Sequence, residues 1–478
     1  MENLFFCVHG HFYQPPREDP LTGQIPVEPG AAPYMNWNER IYAQCYEPNA
    51  RLRNFEKISF NIGPTLCDWL AKEHPDTLAS IVAQDRANLQ RYGVGNAMAQ
   101  SYNHTILPLA SRQDKITQVL WGIADFKFRF GHDPLGMWLP ETAADDETLL
   151  TLAECGIQYT ILAPWQADTL ELDPLQPYRI PLPGGKEIAA FFYQQDLSAR
   201  ISFDPGATID ADRFALQAIL PKYRLHKGRA LEPQIVLIAS DGELYGHHQP
   251  FRDKFLAYLM DGALKPFQVN VTFPALYLRQ YPLKKRVLIR ENTSWSCHHG
   301  VARWKGACGC CPDGEWKGHL RAALNGLADA IDAEYARFLE RYRVDPWQVR
   351  NEFIHVILGE QTLEEFAAEW ISPKLEAEET RQIGHLLWAQ YERQRMFTSC
   401  GWFFDDFDRI EPRNNVAYAA QAVWLMEKAT GVQLAGLATQ ALDLVVSRRS
   451  GLRASEVFRN HLRRASQYWQ MKRESRSL

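Results

Sequence analysis

Short apolar runs that each end in a polar or glycine-rich segment recur through the first 290 residues. The clearest are "LFFCV", "KISF", "GMWL", "YTILAP", "IAAFFY", "QIVLIA" and "VNVTF". Between them lie amphipathic segments such as "ITQVLWGIADFKFRF", whose apolar residues recur at intervals of three and four. Strands that alternate with helices predict a parallel sheet, and about seven such units predict a barrel over residues 1–290. In such a barrel the functional residues collect at the carboxyl ends of the strands.

The pattern changes after residue 316. From 317 to 478 the apolar residues follow a helical period, as in "HLRAALNGLADAIDAEYARFLERY", and this predicts a mainly helical domain. The segment 291–316 has no clear period and is rich in Trp, Cys, His and Gly. Because its aromatic content argues against disorder, we predict an ordered loop that links the barrel to the helices.

Composition and charge narrow the range of functions. The chain has 478 residues, is 46% hydrophobic and carries a net charge of −5, which argues against binding to nucleic acid or to an anionic membrane. No apolar run is long enough to span a bilayer, and the amino terminus lacks the basic residues of a signal peptide. The nine cysteines are an odd number and fit reduced thiols. We therefore predict a cytoplasmic protein.

Carboxylates follow two of the predicted strands. Asp241 and Glu243 come directly after "QIVLIA", where burial can raise a carboxyl pKa. Glu141 follows "GMWLP". A solvated turn explains the first pair equally well, and capping of the next helix explains Glu141. Two carboxylates at two strand ends are nevertheless what glycoside hydrolysis requires, so the pair carries more weight than either member.

Histidines and cysteines offer further candidate chemistry. His9 and His11 could bind a metal together with His104, His247 or Asp241, could hydrogen-bond to sugar hydroxyls, or could pack in the interior. In the linking segment lie Cys297, His298, His299, Cys308, Cys310 and Cys311. Their spacing lacks the two-residue spacers of common zinc sites, so we favour free thiols over a structural metal. Trp295, Trp304 and Trp316 in this region suit either sugar stacking or a core.

Several motifs resemble those of glycoside hydrolase family 57, in the family's order. They are "HGHFYQPP", "SYNHTILPL", "GMWLPETA" and "SDGELYGHH". A further segment, "TSCGWFFDD" at 398–406, is similar to a tryptophan-bearing segment of the family but has Gly401 where an aspartate is common. The resemblance implies an incomplete (β/α)7 barrel followed by a mainly α-helical region that packs on the active-site face. It also implies a retaining enzyme that acts on α-glucans or related α-linked sugars.

The resemblance implies roles for individual residues as well. Glu141 is expected to be the nucleophile and Asp241 the general acid/base, with a separation of about 5 to 5.5 Å between the carboxyl groups. Trp138, Trp295 and Trp402 are expected to stack on sugars. The expected substrate-binding residues are His9, His11, Gln14, Tyr102, His104, Trp138, Glu243, His247, Trp295 and Trp402.

We therefore expect a retaining glycoside hydrolase or glycosyl-transferring enzyme without a cofactor or a metal. Its expected partner is an α-linked oligosaccharide or polysaccharide, with no nucleic acid and no membrane, and its expected state is a monomer or simple homodimer. One alternative is a metal-dependent carbohydrate hydrolase, such as a polysaccharide deacetylase, with His9, His11 and Asp241 as ligands. The other is an inactive glycan-binding homologue.

Overall fold

The structure is a computed structural model that describes residues 3–226, 230–311 and 313–474, with side chains described through residue 470. The strands are Leu4–Phe12 (β1), Ser59–Ile62 (β2), Ala99–Gln100 (β3), Met137–Trp138 (β4), Tyr159–Leu162 (β5), Tyr178–Pro181 (β6), Glu187–Phe192 (β7), Gln234–Asp241 (β8), Asn270–Val271 (β9) and Lys285–Arg286 (β10).

The helices of the first 290 residues lie between these strands, as the amphipathic segments predict. They are Trp37–Ile41 (α1), Glu47–Arg51 (α2), Pro64–Glu73 (α3), Pro75–Tyr92 (α4), Arg112–Phe130 (α5), Asp146–Glu154 (α6), Gln195–Phe203 (α7), Ala211–Phe214 (α8), Arg252–Tyr258 (α9) and Pro274–Gln280 (α10). Local signals set their ends. α4 begins with Pro75 in its first turn and ends at Gly93, which has a left-handed φ of 70°.

The remaining described chain is helical, which confirms the predicted α/β class with a helical carboxyl-terminal region. Its helices are Ala302–Lys305 (α11), Glu315–Leu339 (α12), Pro346–Glu352 (α13), Ile354–Ile357 (α14), Leu363–Trp370 (α15), Ala377–Arg395 (α16), Cys400–Phe403 (α17), Ile410–Thr430 (α18), Ala435–Leu442 (α19) and Ala454–Glu474 (α20). Among them α16 and α20 both pack against α18. In the part of the chain that the structure describes, no helix has the length and apolar character needed to cross a bilayer.

Parallel pairing places the candidate residues side by side. β1 pairs with β8 along its length and with β2 at its carboxyl end, so that His11 is opposite both Asp241 and Asn61. β3 pairs with β4 and β5 with β7, all parallel. Single bridges join β2 to the chain before β3, and the chain before β4 to β5. The N–H of Gln194, just after β7, donates to Leu237 of β8 at 2.7 Å.

Two strand expectations need correction. His9 and His11 lie within β1, which continues to Phe12, and are not in the loop after it. Strands β3, β6 and β10 were not predicted, because their residues form no apolar run like those that marked the other strands.

The described chain divides into two compact units that alternate along the sequence. The first comprises 1–14, 27–102 and 126–296, and the second comprises 15–26, 103–125 and 297–478. The sequence predicted divisions at 290 and 316 instead. The two early segments belong to the second unit because of long-range contacts. One example is the Gln118 amide, which donates to the Gln394 side-chain oxygen at 3.1 Å. The sequence near residue 118 carries no sign of that partner.

Candidate active site

Glu141 lies in a strained turn directly after β4. In the short 3-10 turn Pro140–Thr142, Glu141 has φ 59° and Thr142 has φ 49°, both in the left-handed region. Such a conformation costs a non-glycine residue about 1–3 kcal/mol, and it persists only where surrounding contacts hold it. One such contact is the backbone N–H of Trp295, which donates to the Glu141 carbonyl at 2.9 Å. The turn therefore places Glu141 just beyond the carboxyl end of β4.

Two donors from a distant segment hold the Glu141 carboxylate. The indole Nε1 of Trp295 donates to Glu141 Oε2 at 3.0 Å, and the Ser296 hydroxyl donates to the same oxygen at 2.6 Å. Hydrogen bonds to an ionised acceptor are about twice as strong as neutral ones. The two bonds fix the rotation of the carboxylate and favour its ionised form.

Asp241 ends β8 and differs from Glu141 in its electrostatics. Its pKa is raised from 3.8 to about 7, first by loss of hydration among the surrounding protein atoms and second by the negative charge of Glu141. Its side chain remains exposed to solvent. Water still reaches this carboxyl and screens part of the repulsion from Glu141. The two carboxylates are close enough to influence each other, and Asp241 is the one that holds a proton near neutral pH.

Glu243 is buried in the turn that directly follows Asp241. Its Oε1 accepts hydrogen bonds from the Tyr46 hydroxyl at 2.7 Å and from the Tyr13 N–H at 3.1 Å. Tyr46 in turn accepts from the Gln14 amide at 2.9 Å. Burial raises the pKa of Glu243 to about 8, and the charge of Asp241 adds to this, while the bond from Tyr46 opposes it. This network braces the turn that carries Asp241.

The two histidines of β1 are neutral and share one partner. Asn61 Oδ1 lies 3.2 Å from His9 Nε2 and 3.1 Å from His11 Nδ1. His9 Nδ1 also lies 2.9 Å from the Ser59 hydroxyl. Burial lowers the pKa of His9 to about 3 and that of His11 to about 4. They therefore act as uncharged hydrogen-bonding groups at neutral pH.

The zinc site considered at these histidines is not assembled. Both ring nitrogens of His9 are engaged by Ser59 and Asn61. Within the ranges that the structure describes, His9, His11 and Asp241 do not bring their ligand atoms together as a metal site requires. The arrangement suits hydrogen bonding to hydroxyl groups better than it suits a metal.

A sequence model of glycosyl hydrolase family 57 matches residues 11–289, more than half of the chain. The chain belongs to glycosyl hydrolase family 57. Residues 313–470 match a second model, described as a domain of unknown function (DUF3536). The family 57 match contains both carboxylates and the Asn61 amide.

Curated relatives match this chain over only part of their own length. An α-amylase from Dictyoglomus thermophilum is 27% identical over 282 residues, which is 54% of this chain and 38% of that protein. A 4-α-glucanotransferase from Thermococcus litoralis is 25% identical over 174 residues, which is 35% of this chain and 25% of that protein. This chain therefore matches well under half the length of these relatives.

Solved structures of family 57 share the fold. An exo-type maltose-forming amylase from a Pyrococcus species has a TM-score of 0.75 at 16% identity, covering 96% of this chain and 88% of that one. A family 57 branching enzyme from Thermococcus kodakaraensis has a TM-score of 0.60 at 16% identity, covering 97% of this chain and 94% of that one. At this identity the likeness concerns the fold.

Two of the predicted stacking surfaces of this family 57 chain need correction. Trp138 is completely buried, with its ring stacked on His9 at 4.6 Å and on His11 at 5.2 Å. Trp402 is also completely buried, and the Arg321 guanidinium lies 3.9 Å from the centre of its ring. Neither ring presents a face to a sugar. Trp295 is only partly buried and keeps the stacking prediction.

The other predicted binding residues occupy varied places. In the first unit, Gln14 and Tyr102 are buried, and His247 Nδ1 lies 2.7 Å from the Gln44 amide oxygen. In the second unit, His104 Nδ1 lies 2.6 Å from the Ser399 hydroxyl, within the segment "TSCGWFFDD". Gly401 of that segment leaves no room for a side chain, because an added Cβ would lie 2.1 Å from the Asn415 amide.

Sequence reasoning missed three residues that shape the site: Asn61, Tyr46 and Ser296. Asn61 was placed at a strand end, after the apolar run "KISF", but was given no role. Ser296 stands beside a tryptophan that was selected, but nothing local connects it with Glu141. Tyr46 lies in a helical turn with no signal that points to Glu243.

Proposed function

We propose that this chain is an α-glucan-active enzyme that hydrolyses or transfers glycosyl units with retention of configuration. One observation carries the proposal: loss of hydration and, second, the charge of Glu141 raise the pKa of Asp241, whereas two donors stabilise Glu141 as a carboxylate. Glycosidases of both stereochemical classes need one ionised and one protonated carboxyl group at the same bond, and the family resemblance implies the retaining class. The names of the family 57 relatives support the α-glucan substrate class.

In the first step Glu141 attacks the anomeric carbon. The new bond joins a Glu141 oxygen to that carbon as the glycosidic C–O bond breaks, and the Asp241 proton passes to the leaving oxygen. The donors Trp295 and Ser296 hold the carboxylate in a fixed orientation for this attack. His9 and His11 are neutral, so their hydrogen bonds to Asn61 add no positive charge near the two carboxyl groups.

In the second step the role of Asp241 changes because Glu141 loses its charge. Once Glu141 is esterified it no longer carries a negative charge, so the pKa of Asp241 falls and its carboxylate becomes the stable form. Asp241 then takes a proton from water or from a sugar hydroxyl, whose oxygen attacks the anomeric carbon as the ester bond breaks. The charge of Glu141 thus helps to keep Asp241 protonated in the first step, and the loss of that charge lets Asp241 act as a base in the second.

We interpret the first unit as the incomplete (β/α)7 barrel of family 57. The run of parallel pairs and bridges from β8 through β1, β2, β3, β4 and β5 to β7 supports this interpretation. The proposed catalytic residues then occupy carboxyl ends of barrel strands, where such folds place their active sites. A monomeric or dimeric state and a cytoplasmic location stay predictions.

Covalent trapping tests the assignment. Asp241→Ala incubated with an α-glucosyl fluoride, whose leaving group needs no acid, should accumulate a glucosyl ester on the peptide that contains Glu141. Glu141→Gln should form no adduct, and Glu171→Gln, an exposed carboxylate of the same unit, should turn over normally. Mass analysis of the intact protein and of its peptides reads the result.

Either of two results would contradict this proposal. An adduct on another residue would remove Glu141 as the nucleophile, and turnover of α-glucans by well-folded Glu141→Gln would do the same. Product analysis of the wild type with maltooligosaccharides separates the two reactions, because hydrolysis gives only shorter chains and transfer also gives longer or branched ones. Complete inactivity on α-linked sugars would favour the glycan-binding alternative.

A further inference from the structure

Four metal-binding side chains converge in the linking segment. Cys297 Sγ lies 3.5 Å from Cys308 Sγ and 3.9 Å from Cys310 Sγ. His299 Nδ1 lies 3.2 Å from Cys308 Sγ and 3.5 Å from Cys310 Sγ. All four atoms lie within 4.8 Å of one another, and no comparable group of His, Cys, Asp or Glu side chains occurs elsewhere in the described ranges.

These distances match those of a tetrahedral zinc centre. Zn–S bonds of about 2.3 Å and Zn–N bonds of about 2.05 Å, arranged tetrahedrally, separate two sulfurs by roughly 3.8 Å and a sulfur from a nitrogen by roughly 3.6 Å. The observed pairs differ from these values by a few tenths of an ångström. We propose that Cys297, His299, Cys308 and Cys310 bind one Zn²⁺ ion. Four protein ligands leave no open position, so the role of the ion is structural.

The chain is built to bring these ligands together. They form two short pairs, Cys297-x-His299 and Cys308-x-Cys310, separated by a segment that contains α11. Gly309, between the last two cysteines, packs against the His299 ring, since an added Cβ would lie 3.1 Å from His299 Cε1. The absence of a side chain there allows the imidazole to turn Nδ1 towards the thiols.

The ligand set differs from the cysteine cluster that stands out in the sequence. Cys311 contributes no ligand, because its Sγ points to the Phe404 carbonyl at 3.9 Å, while its backbone N–H closes a turn with Cys308. His299 takes the fourth position. Without the two-residue spacers of common zinc motifs, only the folded loop indicates the site, and the proposal replaces the expectation of free thiols.

A buried lysine lies beside the cluster. Lys317 is completely buried, and a Cβ added at Gly314 would lie 3.4 Å from both the Lys317 side chain and Cys311 Sγ. An isolated buried ammonium group is costly. One Zn²⁺ with three thiolates and a neutral imidazole carries a net charge of −1, which would offset the charge of Lys317.

A disulfide explains the cluster less completely. A bond between Cys297 and Cys308 would require their sulfurs to approach from 3.5 Å to about 2.05 Å, and it would leave Cys310 and His299 without a role. Zinc uses all four groups. It would also anchor the chain at Cys297, the residue directly after Ser296.

Metal analysis of the full-length protein tests the proposal. Wild type purified from zinc-supplemented medium should contain about one zinc per chain, and Cys308→Ser and His299→Ala should contain less than about a tenth of that. Cys311→Ser is the matched control and should retain the zinc. After chelation, Co²⁺ added to the wild type should give thiolate-to-metal charge-transfer bands and the strong visible bands of a tetrahedral site.

The outcomes are distinct, and the Co²⁺ measurement on wild type remains decisive if a variant fails to fold. Stoichiometric zinc that is lost in Cys308→Ser but kept in Cys311→Ser supports the site. Wild type that neither contains zinc nor binds Co²⁺ overturns it, as does an intact mass two protons lower that reveals a disulfide. Stoichiometric iron would overturn the choice of metal. None of these results depends on glycosidase activity.

Discussion

Replacing Glu141 with Gln should lower the pKa of Asp241 without returning it to that of a free aspartate. The substitution keeps the size of the side chain and removes its negative charge. In the wild type that charge is the second cause of the raised Asp241 pKa, after loss of hydration. The variant therefore isolates the electrostatic part of the interaction between the two carboxyl groups.

The expected fall in the Asp241 pKa follows from how far that pKa is raised in the wild type and from the order of the two causes. The pKa of Asp241 rises from 3.8 to about 7, and Glu141 accounts for the smaller share. Because solvent reaches the Asp241 side chain, it screens part of the repulsion between the Asp241 and Glu141 carboxylates. We expect Glu141→Gln to lower the pKa of Asp241 by about one unit, to about 6.

Carbon NMR of protein labelled at the aspartate carboxyl carbon measures this pKa directly. Asp241→Asn identifies the signal, and Glu171→Gln should leave its titration unchanged. In the wild type the same group should set the alkaline limit of kcat/KM, which should fall about tenfold per pH unit above pH 7 as the acid loses its proton.

Two results would refute this reasoning. An Asp241 pKa that stays near 7 in Glu141→Gln would show that the carboxylates are too far apart to interact, and the catalytic pair would be lost. A pKa near 4 in the variant would show that charge, and not loss of hydration, is the main cause.

Three further predictions concern the surroundings of this pair. Ser296→Ala should reduce kcat/KM by about tenfold or more because Glu141 loses a charge-assisted hydrogen bond, whereas Ser296→Thr should retain most activity. Equal kcat/KM values for Ser296→Ala and the wild type would exclude a role for the Ser296 hydroxyl. The free energy of unfolding of the wild type should fall as pH rises from 4.5 to about 8, because unfolding releases the Glu243 proton over this range. The gain in Tm from Glu243→Gln should therefore grow with pH. Gly246→Ala should lower the free energy of unfolding in urea by at least about 1–3 kcal/mol, because φ is 137° and the new Cβ would lie 2.2 Å from the Gln44 carbonyl oxygen. A variant as stable as the wild type would contradict this clash.

The candidate site could be predicted in part because its acids follow strand ends. Glu141 and Asp241 come after apolar runs whose length and composition identify strands, and parallel strands place such ends together. The tryptophans were predicted less well. Trp138, Trp295 and Trp402 were all expected to stack on sugars, but burial removes the first and third as sugar platforms, and burial depends on residues distant in sequence.

The sequence by itself determined the alternation of strands and helices, the helical second half and the two residues of the proposed catalytic pair. All of these depend on local periodicity or on short motifs. Only the tertiary structure decided which groups act on that pair. The donors to the Glu141 carboxylate come from residues 154 and 155 positions away, and His299 replaces Cys311 in the proposed zinc site. Such contacts form when distant segments close on one another, and a local pattern carries no record of that closure.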